Sequence, residues 1–115
     1  KLYAVGGYGG YGGTLSSVER YDPAANAWEA VAPMAAERIN LGVAVLDGKL
    51  YAVGGFDGVR LSSVERYDPA TNAWEAVASM AELRDELAIA VLDGKLYAVG
   101  GLNDDGWLSS VERYD

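Results

Sequence analysis

The amino-acid sequence predicts an all-β fold made of repeated four-stranded antiparallel sheets. Two motifs recur at nearly constant spacing: KLYAVGG at 1–7, 49–55 and 95–101, and LSSVERYD at 15–22, 61–68 and 108–115. Successive copies begin 46 to 48 residues apart. Repeats of this length indicate stacked structural units, and four short strands per repeat is the content of one blade of a β-propeller.

An Asp-Gly dipeptide joins the first two predicted strands of the repeat. LGVAVL (41–46) and LAIAVL (87–92) are each followed by Asp-Gly and then by KLYAVGG. Asp-Gly between two apolar runs predicts a tight hairpin, because both central residues of a type I′ turn need positive φ. The second strand is apolar on both faces, which is typical of a strand covered by neighbouring sheets on both sides.

The third and fourth strands are joined by a turn containing Pro and Asn. SSVERYD alternates in polarity, as expected for a strand with two different faces. The segments DPAANA and DPATNA then predict turns, because Pro fixes φ and Asn tolerates left-handed geometry. The fourth strand is WEAVA, at 28–32 and 74–78. The segments 34–40 and 80–86 are too short for an amphipathic helix and are predicted to be connecting loops.

The spacing of Gly, Tyr and Trp resembles the Kelch repeat over essentially the whole chain. A Gly-Gly doublet, a Tyr and then a Trp seven residues later occur as Gly6-Gly7, Tyr21 and Trp28, and again as Gly54-Gly55, Tyr67 and Trp74. The third copy has Gly100-Gly101 and Tyr114. The resemblance implies a Kelch-type β-propeller, in which blades close into a ring.

The strand count predicts about two and a half to three blades. Residues 1–34 would form a partial blade (strands 2–4), residues 35–80 a full blade, and residues 81–115 a partial blade (strands 1–3). Two to three blades cannot close a ring, and exposed apolar blade flanks favour association. We expect the ring to be completed by oligomerisation, with a two-fold homodimer favoured. The alternatives are the rest of a longer propeller, a trimer or an open assembly. The predicted oligomer-interface residues are Leu2, Tyr3, Val5, Val111 and Arg113.

The composition argues against an enzyme. The 115 residues contain no Cys and no His, which removes thiolate chemistry, the most frequent general base and the most frequent metal ligand. We therefore expect no catalytic residues, no metal and no cofactor. The net charge of −8 opposes binding to nucleic acid or to a membrane. No signal peptide or membrane span is evident, so a cytoplasmic location is expected if the chain is expressed in a cell.

One end of the predicted blades differs from copy to copy. The 2–3 loops and 4–1 connections vary, whereas the 1–2 and 3–4 turns are nearly constant. A constant frame with variable loops is typical of a binding scaffold, and aromatic and Arg side chains are frequent interface anchors. The Kelch resemblance implies that Arg38 and Arg84 hold acidic peptide segments. The predicted partner-binding residues are Tyr8, Tyr11, Arg38, Asn40, Phe56, Arg60, Arg84, Asn103 and Trp107.

The repeats are unusually similar to one another. Residues 15–35 and 61–81 differ at only two of 21 positions, which favours a consensus-designed chain or a recent duplication. The sequence therefore predicts a structural, self-assembling propeller scaffold. The alternative is a protein- or peptide-binding module that uses the variable face.

Overall fold

A computed structural model describes all residues, 1–115, and consists almost entirely of antiparallel β-strands. One 3-10 turn, at Gly10–Gly12, interrupts this pattern. No helix is long and apolar enough to cross a membrane. The twelve strands are β1 (Leu2–Tyr8), β2 (Thr14–Asp22), β3 (Ala27–Val31), β4 (Gly42–Leu46), β5 (Lys49–Val53), β6 (Val64–Asp68), β7 (Ala73–Val77), β8 (Ala88–Leu92), β9 (Lys95–Val99), β10 (Leu102–Asn103), β11 (Gly106–Trp107) and β12 (Val111–Tyr114).

The strands form three successive blades of a partial propeller. The first blade has the order β1-β2-β3, the second β4-β5-β6-β7, and the third β8-β9-β12. All neighbouring strands are antiparallel. They follow one another along the chain, except that β10 and β11 lie between β9 and β12. The all-β, propeller-type fold predicted from the repeats is confirmed. The predicted blade boundaries at 34–35 and 80–81 lie in the β3–β4 and β7–β8 connections.

The turns adopt the geometry that their residue types favour. Asp47 and Gly48 between β4 and β5 both have positive φ, 52° and 74°, as a type I′ hairpin turn requires. Asn72, between β6 and β7, has φ 51°, and its Oδ1 accepts a hydrogen bond from the Tyr67 hydroxyl at 2.8 Å. The turn residues thus fix the register of the strands on either side.

The Gly-Gly doublet lets two blades approach closely. Gly54 has φ +61°, and a Cβ at this position would collide with the carbonyl oxygen of Arg84. Gly55 donates its N–H to that same oxygen at 2.9 Å. A side chain on Gly54 would therefore be excluded both by the backbone conformation and by the connection that leads to the third blade.

Two small elements of the 2–3 loops were not predicted. β10 and β11 form a two-residue hairpin within the third blade's 2–3 loop, and Trp107 belongs to β11. The Gly-rich segment of the first blade contains the 3-10 turn. Neither element has a hydrophobic periodicity from which it could be predicted.

The hydrophobic core lies between blades. One cluster joins the second and third blades and contains Leu46, Tyr51, Val53, Val64 and Leu96. A second cluster joins the first and second blades and contains Val18, Met34 and Ala52. Adjacent blades therefore cover each other's inner faces, as is usual in repeat proteins.

Candidate functional site

The two faces of each blade have opposite roles in packing. In the second blade, Ala52 packs against the first blade, whereas Tyr51 and Val53 pack against the third. Successive side chains of a strand point to opposite faces, so each repeat has a preceding-blade face and a following-blade face. These two faces form the surfaces considered below.

Arg38 crosses from the β3–β4 connection into the second blade and is fully buried there. Its Nη1 donates to the carbonyl oxygens of Gly54 (2.9 Å) and Ser63 (3.0 Å). Its Nη2 donates to Glu65 Oε2 at 2.9 Å and to Ser63 Oγ at 3.0 Å. The carboxylate of Glu65 also accepts the N–H groups of Ala35 and Ala36. Arg38 thus connects two blades through a buried ion pair, in which only its Nε has no hydrogen-bond partner.

Arg84 repeats this arrangement between the second and third blades. It is fully buried, and its Nε donates to Glu112 Oε2 at 3.0 Å. Its Nη1 donates to the carbonyl oxygens of Gly100 and Ser110, each at 2.9 Å. The prediction that Arg38 and Arg84 hold acidic segments of a partner is wrong. Both guanidinium groups are buried, and each binds a carboxylate of the following blade.

Glu112 is the acidic partner of Arg84 and has a shifted pKa. Burial raises the pKa of this carboxyl, but hydrogen bonds from the N–H groups of Ala81 and Glu82 and from Arg84 favour the charged form more strongly. The net pKa of Glu112 therefore lies below its usual value of 4.5.

Stability is expected to fall in acid because of this carboxylate. Between the lowered folded-state pKa of Glu112 and its usual value of 4.5, the unfolded chain binds more protons than the folded chain. The free energy of unfolding should therefore decrease as the pH falls through this window. Urea titrations between pH 3 and 7 on the unaltered chain and on Glu112→Gln measure this effect. If the free energy of unfolding of Glu112→Gln falls as steeply with pH, Glu112 is not the group responsible.

The fourth strand also contacts the preceding blade. Trp74 in β7 donates its indole N–H to the carbonyl oxygen of Ala32 at 2.8 Å. Asn72 Oδ1 accepts the N–H of Ala32 at 3.0 Å. The Trp74 ring lies 5.2 Å from the ring of Tyr67 and packs against the cluster between the first and second blades. This Trp is therefore a structural connector.

The outermost blade faces expose residues that are buried elsewhere in the chain. Leu2 in the first blade is 62% exposed, whereas its counterpart Leu50 is 6% exposed. In the third blade Val111 is 54% exposed, whereas its counterpart Val64 is 6% exposed. We call the preceding-blade face of the first blade the N flank (Leu2, Ala4, Glu19, Tyr21, Trp28). We call the following-blade face of the third blade the C flank (Leu92, Tyr97, Val99, Val111).

The predicted interface residues divide between exposed and internal positions. Leu2 and Val111 lie on the flanks, and Arg113 is exposed on the edge strand β12. Tyr3 and Val5 instead pack against the buried cluster between the first and second blades. Their assignment to an outer surface is corrected, because they point toward the second blade and Leu2 points away from it.

The variable loops meet at one end of the blades. Ile39 pairs with Phe56, and Asp85 pairs with Leu102, so each 4–1 connection lies beside the following 2–3 loop. Asn40 is exposed, has φ 53°, and accepts the N–H of Glu86 through its carbonyl oxygen at 3.0 Å. This end of the molecule, the loop face, is thus a continuous surface across the blades.

Some of the predicted loop residues bind each other. Arg60 lies 6.0 Å from the centre of the Phe56 ring and forms an ion pair with Asp104 at 3.1 Å. Asn103 Nδ2 donates to Glu82 Oε2 at 3.0 Å. These three predicted residues hold the loops of the second and third blades together, and only their outer edges remain accessible.

Other predicted loop residues are open to solvent. Tyr8 is 71% exposed, Trp107 is 74% exposed, and Tyr11 is fully exposed at the 3-10 turn. Val59 joins them as an exposed apolar side chain at the tip of a 2–3 loop. The loop face therefore presents separate apolar anchors above a rigid frame. No group of three or more Asp, Glu, His or Cys side chains on it is placed to hold a metal ion.

The acidic partners Glu65 and Glu112 were missed as functional positions. Glu19, Glu65 and Glu112 occupy the same place in the three repeats. Arg38 and Arg84 likewise each lie 23 residues after the start of an LSSVERYD motif, within segments that otherwise differ. An Arg that recurs inside a variable segment, together with a Glu that recurs in the constant motif, indicates a structural ion pair.

Known proteins with related sequences carry the same repeat. The Kelch motif matches residues 1–35, 37–81 and 84–115. The chain is 46% identical over 57 residues to Kelch-like protein 8 of Caenorhabditis elegans, which covers 50% of this chain and 8% of that protein. It is 58% identical over 41 residues to human Kelch-like protein 5, covering 36% of this chain and 5% of that protein. The chain thus spans less than a tenth of the length of these relatives.

A solved structure shares the fold. The structure of YjhT superposes with a TM-score of 0.72 and 26% sequence identity. The match covers 76% of this chain and 28% of that chain.

Proposed function

The chain belongs to the Kelch-repeat family, and we propose that it is a structural, non-catalytic scaffold that associates with further Kelch-type blades through its N and C flanks. The blades bound in this way are those of a second copy of the chain. The near identity of the repeats supports a consensus-derived origin for such a scaffold.

One observation carries this proposal: chemically identical positions are buried inside the array and exposed at its flanks. Val99 is 39% exposed and its counterpart Val53 only 1%. Leu92 is 59% exposed and its counterpart Leu46 only 7%. Burial of apolar surface stabilises association by about 25 cal/mol per Å². The flanks therefore favour a contact with further blades of the same kind as the contact that joins blades within the chain.

The two flanks are complementary to each other. The following-blade face of the second blade already packs against the preceding-blade face of the third. The C flank has the same residues as the following-blade face of the second blade, and the N flank, apart from Trp28, has the same residues as the preceding-blade face of the third. The C flank of one copy therefore fits the N flank of another, and two such contacts close a two-fold ring of two chains.

Charged substitutions on the flanks test the proposal. We expect Leu2→Asp and Val111→Asp each to lower the mass measured by sedimentation equilibrium to that of one chain, 12.2 kDa, because a carboxylate would be buried in the contact. Val59→Asp is the matched control, since Val59 is 65% exposed on a loop. A lower mass for Val59→Asp, or an unchanged mass for both flank variants, would contradict the flank contact.

A second candidate function is protein or peptide binding by the loop face. The exposure of Tyr8, Tyr11 and Trp107 supports it, because exposed aromatic side chains dominate many interfaces. Peptides selected from a random library on the immobilised chain should lose at least tenfold in affinity for Trp107→Ala and retain it for Leu2→Asp. If peptide affinity is unchanged in both Trp107→Ala and Tyr11→Ala, the loop face is not the binding site.

A further inference from the structure

The loop face carries most of the excess negative charge of the chain. Seven carboxylates lie in its loops and connections. Five of these seven form no ion pair: Glu37, Asp57, Glu82, Glu86 and Asp105. The other two, Asp85 and Asp104, both face Arg60. Because Arg38 and Arg84 are buried and paired with carboxylates of the blades, Arg60 is the one cation that this face retains. Seven carboxylates and one cation leave a net charge of −6 here, out of −8 for the whole chain.

Arg60 shows which chemical group this face accepts. Its guanidinium lies 6.0 Å from the centre of the Phe56 ring, and its Nη1 donates to Asp104 Oδ1 at 3.1 Å. Its Nε lies 3.7 Å from Asp85 Oδ2. An aromatic ring and carboxylates around a planar cation are the surroundings that an arginine prefers. The chain's own side chain thus occupies a place that suits an arginine of another protein.

The carboxylate of Asp85 is incompletely paired in this place. The residue is only 6% exposed, yet its Oδ1 has no hydrogen-bond partner, and Arg60 Nε has none either. Buried charged groups normally have their hydrogen bonds satisfied. In the Arg38–Glu65 pair, by comparison, both carboxylate oxygens accept hydrogen bonds. Asp85 therefore has a capacity for a charged donor that Arg60 leaves unused.

Arg60 is held weakly, whereas Asp85 is held firmly. The one carboxylate to which Arg60 is hydrogen-bonded, that of Asp104, is 68% exposed. Exposed ion pairs contribute little to stability, so turning the Arg60 side chain out into solvent costs little. The backbone of Asp85 is fixed by two hydrogen bonds with Leu102, at 3.0 and 2.8 Å. The Asp85 carboxylate therefore stays in position when another cation replaces that of Arg60.

We propose that the loop face binds a basic, arginine-containing segment of a partner protein, one arginine of which replaces the Arg60 side chain between Phe56, Asp85 and Asp104. The proposal rests on the second candidate function, binding by the loop face, and specifies the charge of the partner. That charge is opposite to the charge of the acidic segments that the Kelch resemblance implies. The surrounding carboxylates attract the basic segment at long range and speed its association. The site contains no residue of the N or C flank.

A labelled octapeptide of alternating Arg and Gly tests the proposal on the full chain. Fluorescence anisotropy should show saturable binding of this Arg peptide, and an octapeptide of alternating Glu and Gly should not bind. Asp85→Asn should weaken binding of the Arg peptide by about tenfold or more, the effect of losing one charged hydrogen bond. Asp93→Asn is the matched control, because it removes the same charge from the turn between β8 and β9 at the opposite end of the blade, where Asn tolerates the φ of 51°. No binding of the Arg peptide, or an equal loss in Asp93→Asn, would overturn the proposal.

Removal of the internal cation tests whether Arg60 occupies the binding site. Arg60→Gln should strengthen binding of the Arg peptide several-fold, because the competing guanidinium is gone. Lys95→Gln is the matched control, since it changes the net charge equally at the opposite end of the third blade. Equal effects of the two substitutions would show long-range attraction alone, and the assigned site would be wrong. If peptides selected from a random library depend on Trp107 but bind Asp85→Asn as tightly as the unaltered chain, the loop face binds peptides and the proposal of a basic partner is overturned.

Discussion

Replacement of Arg38 by Ala is expected to destabilise the fold by about 3–5 kcal/mol, because it leaves a buried carboxylate without its cation. The Glu65 side chain is only 6% exposed and would lose its partner at 2.9 Å. The carbonyl oxygens of Gly54 and Ser63 would each lose the hydrogen bond from Arg38 as well. Urea unfolding monitored by tryptophan fluorescence measures the loss.

Arg20→Ala provides the control for Arg38→Ala. Arg20 also pairs with a glutamate, Glu29, but that pair lies in solvent, and exposed pairs contribute little to stability. The expected loss is therefore much smaller than for Arg38→Ala. Equal losses of stability in the two variants would show that the buried Arg38–Glu65 pair stabilises the fold no more than an exposed pair does.

Replacement of Tyr67 by Ala is expected to destabilise the fold by about 3–5 kcal/mol, the usual cost of removing a buried aromatic ring. Tyr67 is completely buried. Its ring contacts Tyr3 of the first blade and Trp74 of its own blade, with ring centres 5.9 and 5.2 Å apart. Burial also raises the pKa of its hydroxyl. Thermal and urea unfolding both measure the loss.

Tyr21→Ala is the matched control for Tyr67→Ala. Tyr21 makes the same contacts within its blade, with Trp28 at 5.5 Å and with Asn26 at 2.7 Å. It lies on the N flank and has no preceding blade within the chain. Its replacement should cost less than that of Tyr67 at low protein concentration, and the cost should rise with concentration as association covers the flank. If Tyr21→Ala and Tyr67→Ala lose the same stability at every protein concentration, the N flank does not differ from the buried face of the second blade in the way proposed.

The sequence predicted the blades because local signals and packing agree. Asp-Gly at 47–48 fixed a hairpin, and Asn72 fixed the next turn, each through its tolerance of positive φ. The apolar second strand is covered on both sides in the second blade, where four successive residues, Leu50–Val53, are buried, but not in the first and third blades, where Leu2 and Val99 are exposed. Such features depend on residues close together in the chain.

Side-chain direction between blades could not be predicted in the same way. The period of two shows that Leu2 and Tyr3 point to opposite faces, but it does not show which face meets the second blade. The position of the Arg38 side chain depends on Glu65, 27 residues away. The sequence around Arg38 alone therefore does not distinguish an exposed, ligand-binding Arg from a buried one that connects two blades. Comparing the repeats resolves the difference, because both members of the pair recur together.

Sedimentation equilibrium of the unaltered chain from low to high micromolar concentration tests the central claim most directly. If the exposed flank positions bind the blades of a second copy, the measured mass should approach twice 12.2 kDa, and both flank variants should reduce it. A folded particle of 12.2 kDa at every concentration would contradict the proposed assembly.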